Sequence, residues 1–161
     1  MYNYDLIDHI DTRIKEPKSI IKKMEKKKYD KTYLNLIEKI NDVAGMRIVC
    51  TLKDDIFFIR DLIKQMPDIH ILKEKDYVTN PKPSGYSSYH MVVEVPVRLT
   101  QKTIYVKCEI QIRTLAMDFW ASFEHKVKYK TEHNVSKKTS KELVSCAKMI
   151  SKFDDKMISL K

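Results

Sequence analysis

The sequence predicts an α/β protein of the mixed α+β kind, a sheet of about five strands flanked by helices, and three observations carry that expectation. The first is the segment VKCEIQIRTLAMDFWASFEHKVKYK, Val106 to Lys130. It opens with strict alternation. Val106, Cys108, Ile110 and Ile112 face one way, and Lys107, Glu109, Gln111 and Arg113 the other, as in a strand with one apolar face. The segment then turns aromatic, as a helix packing on a sheet would. The second observation is that short β-branched runs alternate with stretches of helical apolar spacing. The third is that no repeat, glycine linker or low-complexity tract divides the 161 residues, so one domain over 1–161 with a sizeable core is expected.

The elements follow in order. Tyr4 to Lys15 fits a strand or a short helix. Pro17 suits the first turn of a helix running to about Lys28, with Ile20, Ile21 and Met24 turned inward. Leu34, Ile37 and Ile40 indicate a short helix that delivers Asp42 to a strand, Gly45 to Thr51. Asp54 or Asp55 is placed to cap a helix carrying Ile56, Ile59, Ile63 and Met66. Pro67 precedes a strand near Ile69 to Lys73. The loop TNPKPSG leads into a strand from Tyr86 to Val95. A turn near Thr100 joins it to the strand beginning at about Ile104, and Thr114 caps the aromatic helix. Thr139 and Glu142, at capping-box spacing, open a last helix with Leu143, Met149, Ile150 and Phe153.

Charge narrows the class of partner. The net charge of +9, from 31 basic and 22 acidic residues, favours a nucleotide, a nucleic acid or an acidic membrane surface. Lys15, Lys18, Lys22, Lys23, Lys26, Lys27 and Lys28 crowd the first thirty residues, and Lys73, Lys75 and Lys82 form a sparser group. Cys50, Cys108 and Cys146 lie far apart without zinc-type spacing; apolar neighbours make Cys50 and Cys108 buried thiols by expectation. No apolar run approaches the ~20 residues of a membrane helix, and no signal-peptide pattern opens the chain. A cytoplasmic location without membrane association is expected.

Three constellations can carry chemistry. Asp42 and Glu109 are carboxylates expected at or in sheet strands, a type of pair that holds Mg²⁺ against nucleotide phosphates. Arg13, Lys15, Ser19 and Lys23 can wrap a polyphosphate, with Ser19 and Lys23 four apart on one helical face. A solvated basic helix face is the plainer account, and the glycines of a Walker motif are absent. In NPKPSGYSSYH, Asn80 to His90, a stiff turn presents Tyr86, whose ring can stack on a base or simply pack. Alternation would put Tyr86, Ser88 and His90 on one face. Asp118, Glu124 and His125 on the aromatic helix either anchor it or line a site.

Together the segments RIKEPKSIIKK, INDVAGMRIVC, DYVTNPKPSGYSSYH and CEIQIRTLAMDFWASFEHKVKYK, spread in order over Arg13 to Lys130, resemble the synthetase domain of the RelA/SpoT family. The resemblance is greatest to stand-alone small alarmone synthetases of the RelQ type. It implies a nucleotidyltransferase-like sheet and transfer of the β,γ-pyrophosphate of ATP to the 3′-hydroxyl of GDP or GTP, with release of AMP. By the motif match, Arg13 and Arg47 would hold the adenine, and Lys15, Ser19 and Lys23 the ATP phosphates. Asp42 would bind Mg²⁺. Glu109 would assist the metal and accept the hydroxyl proton. Tyr86 would stack on guanine; Lys75, Lys82 and His90 would approach the acceptor, with Gln111 in support and Asp118 at the guanine edge.

The same resemblance implies a homo-oligomer, a tetramer in relatives. It also marks the chain as starting closer to Arg13 than relatives do, as though N-terminal helical residues were lacking. No hydrolase-type His-Asp constellation is present, so a synthetase alone is implied. Ser87 and Lys75 stand where relatives usually have arginine, and Ser84 where asparagine is common, which bears on the choice between GDP and GTP. The competing class is a module that binds single-stranded RNA through its basic surface and Tyr86, with weak or lost catalysis.

Overall fold

The computed structural model describes residues 4–130 and 134–161. Its elements run β1 (Ile7–Ile14), α1 (Pro17–Lys26), α2 (Tyr33–Lys39), β2 (Ala44–Cys50), α3 (Lys53–Lys64), β3 (His70–Asp76), β4 (Tyr89–Arg98), β5 (Thr103–Thr114), α4 (Leu115–Lys130) and α5 (Lys137–Ile158). The five strands form one mixed sheet in the order β1-β2-β5-β4-β3. Only β2 and β5 are parallel; the other three pairings are antiparallel. The parallel pair therefore lies inside the sheet, where the chain must cross over through α3 and the β3–β4 hairpin.

Alternation on β5 divides the sheet into two different faces. Ile110 and Ile112 join Ile48, Cys50, Met91, Val93, Tyr89 and the α3 residues Ile56, Ile59 and Ile63 in the main core. Complete burial of a residue such as Ile56, fully inaccessible here, is worth about 1.5–3 kcal/mol. The opposite face carries the polar members of the alternation. A second cluster of Trp120, Ala121 and Leu143 ties α4 to α5, with the Trp120 indole N–H donating to the Leu143 carbonyl at 3.0 Å. Thr114 links the parts. Its Oγ1 accepts from the Met117 N–H at 3.1 Å, the expected cap of α4, and donates to buried Asp154 on α5 at 2.9 Å.

Several boundaries differ from expectation for identifiable reasons. The ambiguous opening is a strand, because β2 offers it an antiparallel partner from Ile7 to Ile14. On α1 only Met24 is buried, and Ile21 is 43% exposed. On α2, Leu34 and Ile37 are also exposed, whereas Ile40 beyond its end is buried. Leu52, not an aspartate, occupies the N-cap of α3; Asp55 acts from the third helical position and accepts from the Leu52 N–H at 2.9 Å. Met66 lies past the end of α3 and is exposed. The last helix begins one turn earlier than Thr139 suggests, since the Ser136 hydroxyl accepts from the Thr139 N–H at 3.0 Å. Met149 and Phe153 on that helix are exposed. Cys50 is buried, and burial pushes its thiol up to about 12; Cys108 is only half-buried.

Candidate active site

Sheet register builds the site. One row crosses all five strands: Asp11, Arg47, Gln111, His90 and Lys75 are successive partners. The next row is Arg13, Gly45, Glu109, Val92 and Lys73. Partners in register point to the same face, so ten positions from five strands make one polar surface. Two hollows open on it. A smaller one, about 100 Å³, is lined by residues including Arg13, Gly45, Arg47, Glu109 and Gln111. A larger one, about 460 Å³, is lined by Lys23, Asp42, Lys75, Lys82, His90 and Glu109 among others. Glu109 stands on the border of both.

Gly45 makes the smaller hollow accessible to Arg13. A Cβ there would lie 3.4 Å from Arg13 Cγ and Nε, so glycine lets that side chain lie across β2. Arg47 stands beside it, 3.3 Å from Asp118 and 3.6 Å from Asp11. At the edge of the larger hollow, Asp42 Oδ2 takes ammonium groups from both Lys15 and Lys23 at 2.7 Å. Burial pulls the Asp42 pKa upward, but those two lysines outweigh it and hold the carboxyl below its ordinary value. Its other oxygen, Oδ1, is buried with no hydrogen-bond partner. Ser19 sits one turn before Lys23 on α1, half-buried, and lines neither hollow.

Glu109 is tuned by its neighbours on the same surface. His90 Nδ1 lies 3.8 Å from Oε1, and the Gln111 amide N–H donates to Oε2 at 3.2 Å. His90 above all, then Gln111, lowers the Glu109 pKa, against the opposing effects of burial and of the Asp42 charge. Asp42 and Glu109 are thus both ionised carboxylates on one cleft. Among the described residues no group of three or more His, Cys, Asp or Glu converges as a metal cage. Two carboxylates with one orphaned oxygen suit Mg²⁺, which completes its shell with waters and substrate phosphates.

The Tyr86 loop closes the far side. The Gly85 N–H donates to the Lys82 carbonyl at 2.8 Å, and the Lys82 N–H to the Tyr86 carbonyl at 3.0 Å. Gly85 has φ +91°, and a Cβ there would meet the Ala147 Cβ at 2.5 Å. Tyr86 precedes β4 instead of beginning it. Its hydroxyl still reaches His90 Nε2 at 2.7 Å, while Ser88 is fully buried and donates to the Ile112 carbonyl. Lys82 Nζ lies 4.7 Å from the Tyr77 ring centre and 4.8 Å from that of Tyr86. Lys75 Nζ is 5.9 Å from Tyr77. Ser87 turns away, towards Met117 Sδ at 3.6 Å, and Ser84 Oγ accepts from the Tyr86 N–H at 3.4 Å.

Two residues join the site that sequence reasoning did not single out. Tyr77 packs edge-on to Tyr86 and His90, with ring centres 6.3 and 5.4 Å apart. It follows directly on β3, a strand whose extent the sequence left short. Arg113 is 5% exposed and reaches Asp118, Tyr86 and Gln111; its place beside Glu109 and Gln111 in the alternation was the available signal. Glu124 and His125 do not take part. Glu124 pairs with Lys128 one turn on, and His125 is exposed.

A sequence model of the region found in RelA / SpoT proteins matches residues 12–134. The chain belongs to the RelA/SpoT family. Within that family it is 43% identical over its whole length to the GTP pyrophosphokinase YwaC of Bacillus subtilis, covering 77% of that protein. It is 36% identical to the GTP pyrophosphokinase YjbM of the same organism over 96% of the chain and 72% of that protein. The crystal structure of small alarmone synthetase 2 from Bacillus subtilis superposes with a TM-score of 0.89 at 43% identity, over 98% of this chain and 82% of that one. Small alarmone synthetase 1 from the same organism, bound to its product pppGpp, gives 0.87 at 36% identity over 96% and 78%. The RelA/SpoT fold is therefore shared through α5, beyond the region of the family match.

Proposed function

We propose that this RelA/SpoT chain is a GTP pyrophosphokinase that makes (p)ppGpp, and that residues 1–161 act as a single synthetase domain. The observation that carries the reading is the placement of Glu109 between the two hollows, ionised, with cations on each side. Arg13 and Arg47 in the smaller hollow hold the adenine of ATP; Lys15 and Lys23, with Ser19 at their margin, hold its phosphates. Tyr86 offers a ring to guanine, Asp118 an acceptor to its N–H edge. Lys75, Lys82 and His90 face the acceptor phosphates and ribose, and Gln111 steadies Glu109.

In the reaction, Glu109 takes the proton of the acceptor 3′-hydroxyl as its oxygen attacks the β-phosphorus of ATP. The bond from that phosphorus to the α,β-bridging oxygen breaks, and AMP departs with the electron pair. Alignment and charge neutralisation do most of the work in such transfers. Mg²⁺, held by Asp42 and Glu109, supplies further neutralisation of phosphate charge when bound. Lysine-only contacts at Lys75 and Lys82 give point charges instead of the bidentate grip of arginine, and Ser87 adds no cation, so selection between GDP and GTP rests on few groups.

Assembly of copies of this chain belongs to the same reading: Phe119 and Phe123 stack on each other in the open on α4, and Met149 and Phe153 are exposed on α5. No helix among the described residues is long and apolar enough to cross a membrane. The same reading locates the reaction in the cytoplasm, because its substrates are nucleotides.

The test is incubation with Mg²⁺, ATP and either GDP or GTP, with nucleotides resolved by anion exchange. AMP and a more highly phosphorylated guanosine product are expected. Glu109→Gln should slow turnover by about 10²–10⁴-fold, the usual worth of a general base. Wild-type turnover in that variant would remove the role of Glu109. Absence of product from the folded wild-type protein would favour RNA binding instead.

A further inference from the structure

Five side chains form a ring with one open link, between His90 and Glu109: Glu109, His90, Tyr86, Arg113 and Gln111. The Arg113 Nη2 donates to the Tyr86 hydroxyl and to Gln111 Oε1, both at 2.6 Å. The Tyr86 hydroxyl meets His90 Nε2 at 2.7 Å. From there the ring approaches Glu109 through His90 Nδ1 at 3.8 Å and the Gln111 amide at 3.2 Å. Arg113 is almost fully enclosed, its Nη1 on Asp118 at 3.0 Å and its guanidinium 5.1 Å from the Tyr86 ring centre.

A guanidinium has donors and no acceptor, and it stays charged. Whatever touches Arg113 must therefore accept. Gln111 must turn its oxygen to Arg113, which leaves its N–H₂ facing Glu109. The Tyr86 oxygen likewise accepts from Arg113, and among the described residues its own proton has one acceptor, His90 Nε2. That nitrogen is then bare, and the ring proton of neutral His90 sits on Nδ1, towards Glu109. Both branches arrive at the carboxylate with a donor.

We propose that Arg113 is a positioning residue that fixes the direction of this ring, holding His90 as the Nδ1–H tautomer and Gln111 amide-first, so that two donors converge on Glu109. The proposal deepens the synthetase reading and rests on it for the importance of Glu109. It also couples the acceptor loop to the reacting carboxylate, since Tyr86 is a member of both. The 3.8 Å His90–Glu109 contact is expected to shorten when substrate completes the site, as catalytic hydrogen bonds commonly do.

The experiment is ¹⁵N imidazole NMR on the full chain at a pH where histidine is neutral, with His90 assigned by its loss in His90→Gln. The wild type should show a pyrrole-type Nδ1 and a pyridine-type Nε2. Arg113→Met should release the tautomer into a mixture and lower kcat by about 10–100-fold, the effect typical of residues that orient ligating groups, with KM for ATP unchanged. Arg113→Lys, still a donor without an acceptor, should restore part of both. Tyr86→Phe, which keeps the ring and removes the hydroxyl, should release the tautomer as well. If Arg113→Met fails to fold, Tyr86→Phe decides. A wild-type His90 protonated on Nε2, or a tautomer unmoved in the folded variants, would overturn the proposal. Because the tautomer is read without turnover, its failure is separable from any failure of the Glu109 role.

Discussion

Replacing Gly85 by alanine tests how the acceptor loop is held. The residue lies at φ +91°, where a Cβ meets both backbone strain and the Ala147 Cβ at 2.5 Å. The left-handed conformation costs about 1–2 kcal/mol for a residue with a side chain. Forcing a methyl into occupied space costs a further ~1–3 kcal/mol. The sum, roughly 2–5 kcal/mol, is a large part of the 5–15 kcal/mol that typically stabilises a domain. The loop from Pro81 to Ser87 can lift from α5 at a lower cost than global unfolding, and Tyr86 would move with it. Thermal melts should therefore drop by no more than about 4–20 °C, at ~2–4 °C per kcal/mol for a chain of this size. KM for the guanine nucleotide should rise while KM for ATP holds, because Arg13, Lys15 and Lys23 stand on other elements.

The control is Gly85→Ala with Ala147→Gly. Removing the opposing methyl relieves the clash but not the backbone strain. A glycine inside α5 has its own cost of ~1 kcal/mol. The double variant should still be more stable than the sum of the two single effects predicts. Strict additivity, or a Gly85→Ala protein with unchanged melting and unchanged acceptor KM, would refute the account of the loop.

Asp154→Asn should raise stability near neutral pH: burial, outweighing the Thr114 hydroxyl and Lys53, lifts the pKa of this carboxyl above its ordinary value. The folded state then holds a proton that the unfolded state has released, so wild-type stability falls as pH rises from the unfolded pKa through the folded one. Melting temperature against pH should lose that decline in the variant. Thr114→Val removes both the α4 cap and the partner of Asp154; about 0.5–2 kcal/mol for the cap and ~1–3 kcal/mol for an unpaired buried acceptor should appear in urea denaturation. Lys23→Met leaves Asp42 with Lys15 alone; loss of a charge-assisted contact worth ~1.5–3 kcal/mol should raise KM for ATP by roughly 10–100-fold, with the acceptor KM little changed.

Alternation alone determined the strand that carries Glu109 and Gln111, and which face each residue takes, because a period of two leaves a side chain no other choice. Helical spacing and Thr114 placed the aromatic helix after it, and the ordered motifs from Arg13 to Lys130 carried the family. Register is a different matter. That Arg47, Gln111, His90 and Lys75 stand in one row depends on three strand pairings, one of them the parallel β2–β5 pairing between segments distant in the chain, and no local pattern encodes it. The opening strand was undecidable locally for the same reason, since its hydrogen-bond partners belong to β2. Tyr86 met His90 even though it lies before the strand, through the turn at Gly85 and the packing of that turn on α5. Arg113 shows the division most clearly. Its side of the strand could be read from the sequence; its partners could not, because burial and donor-acceptor matching arise only when loop, strand and helix close around it.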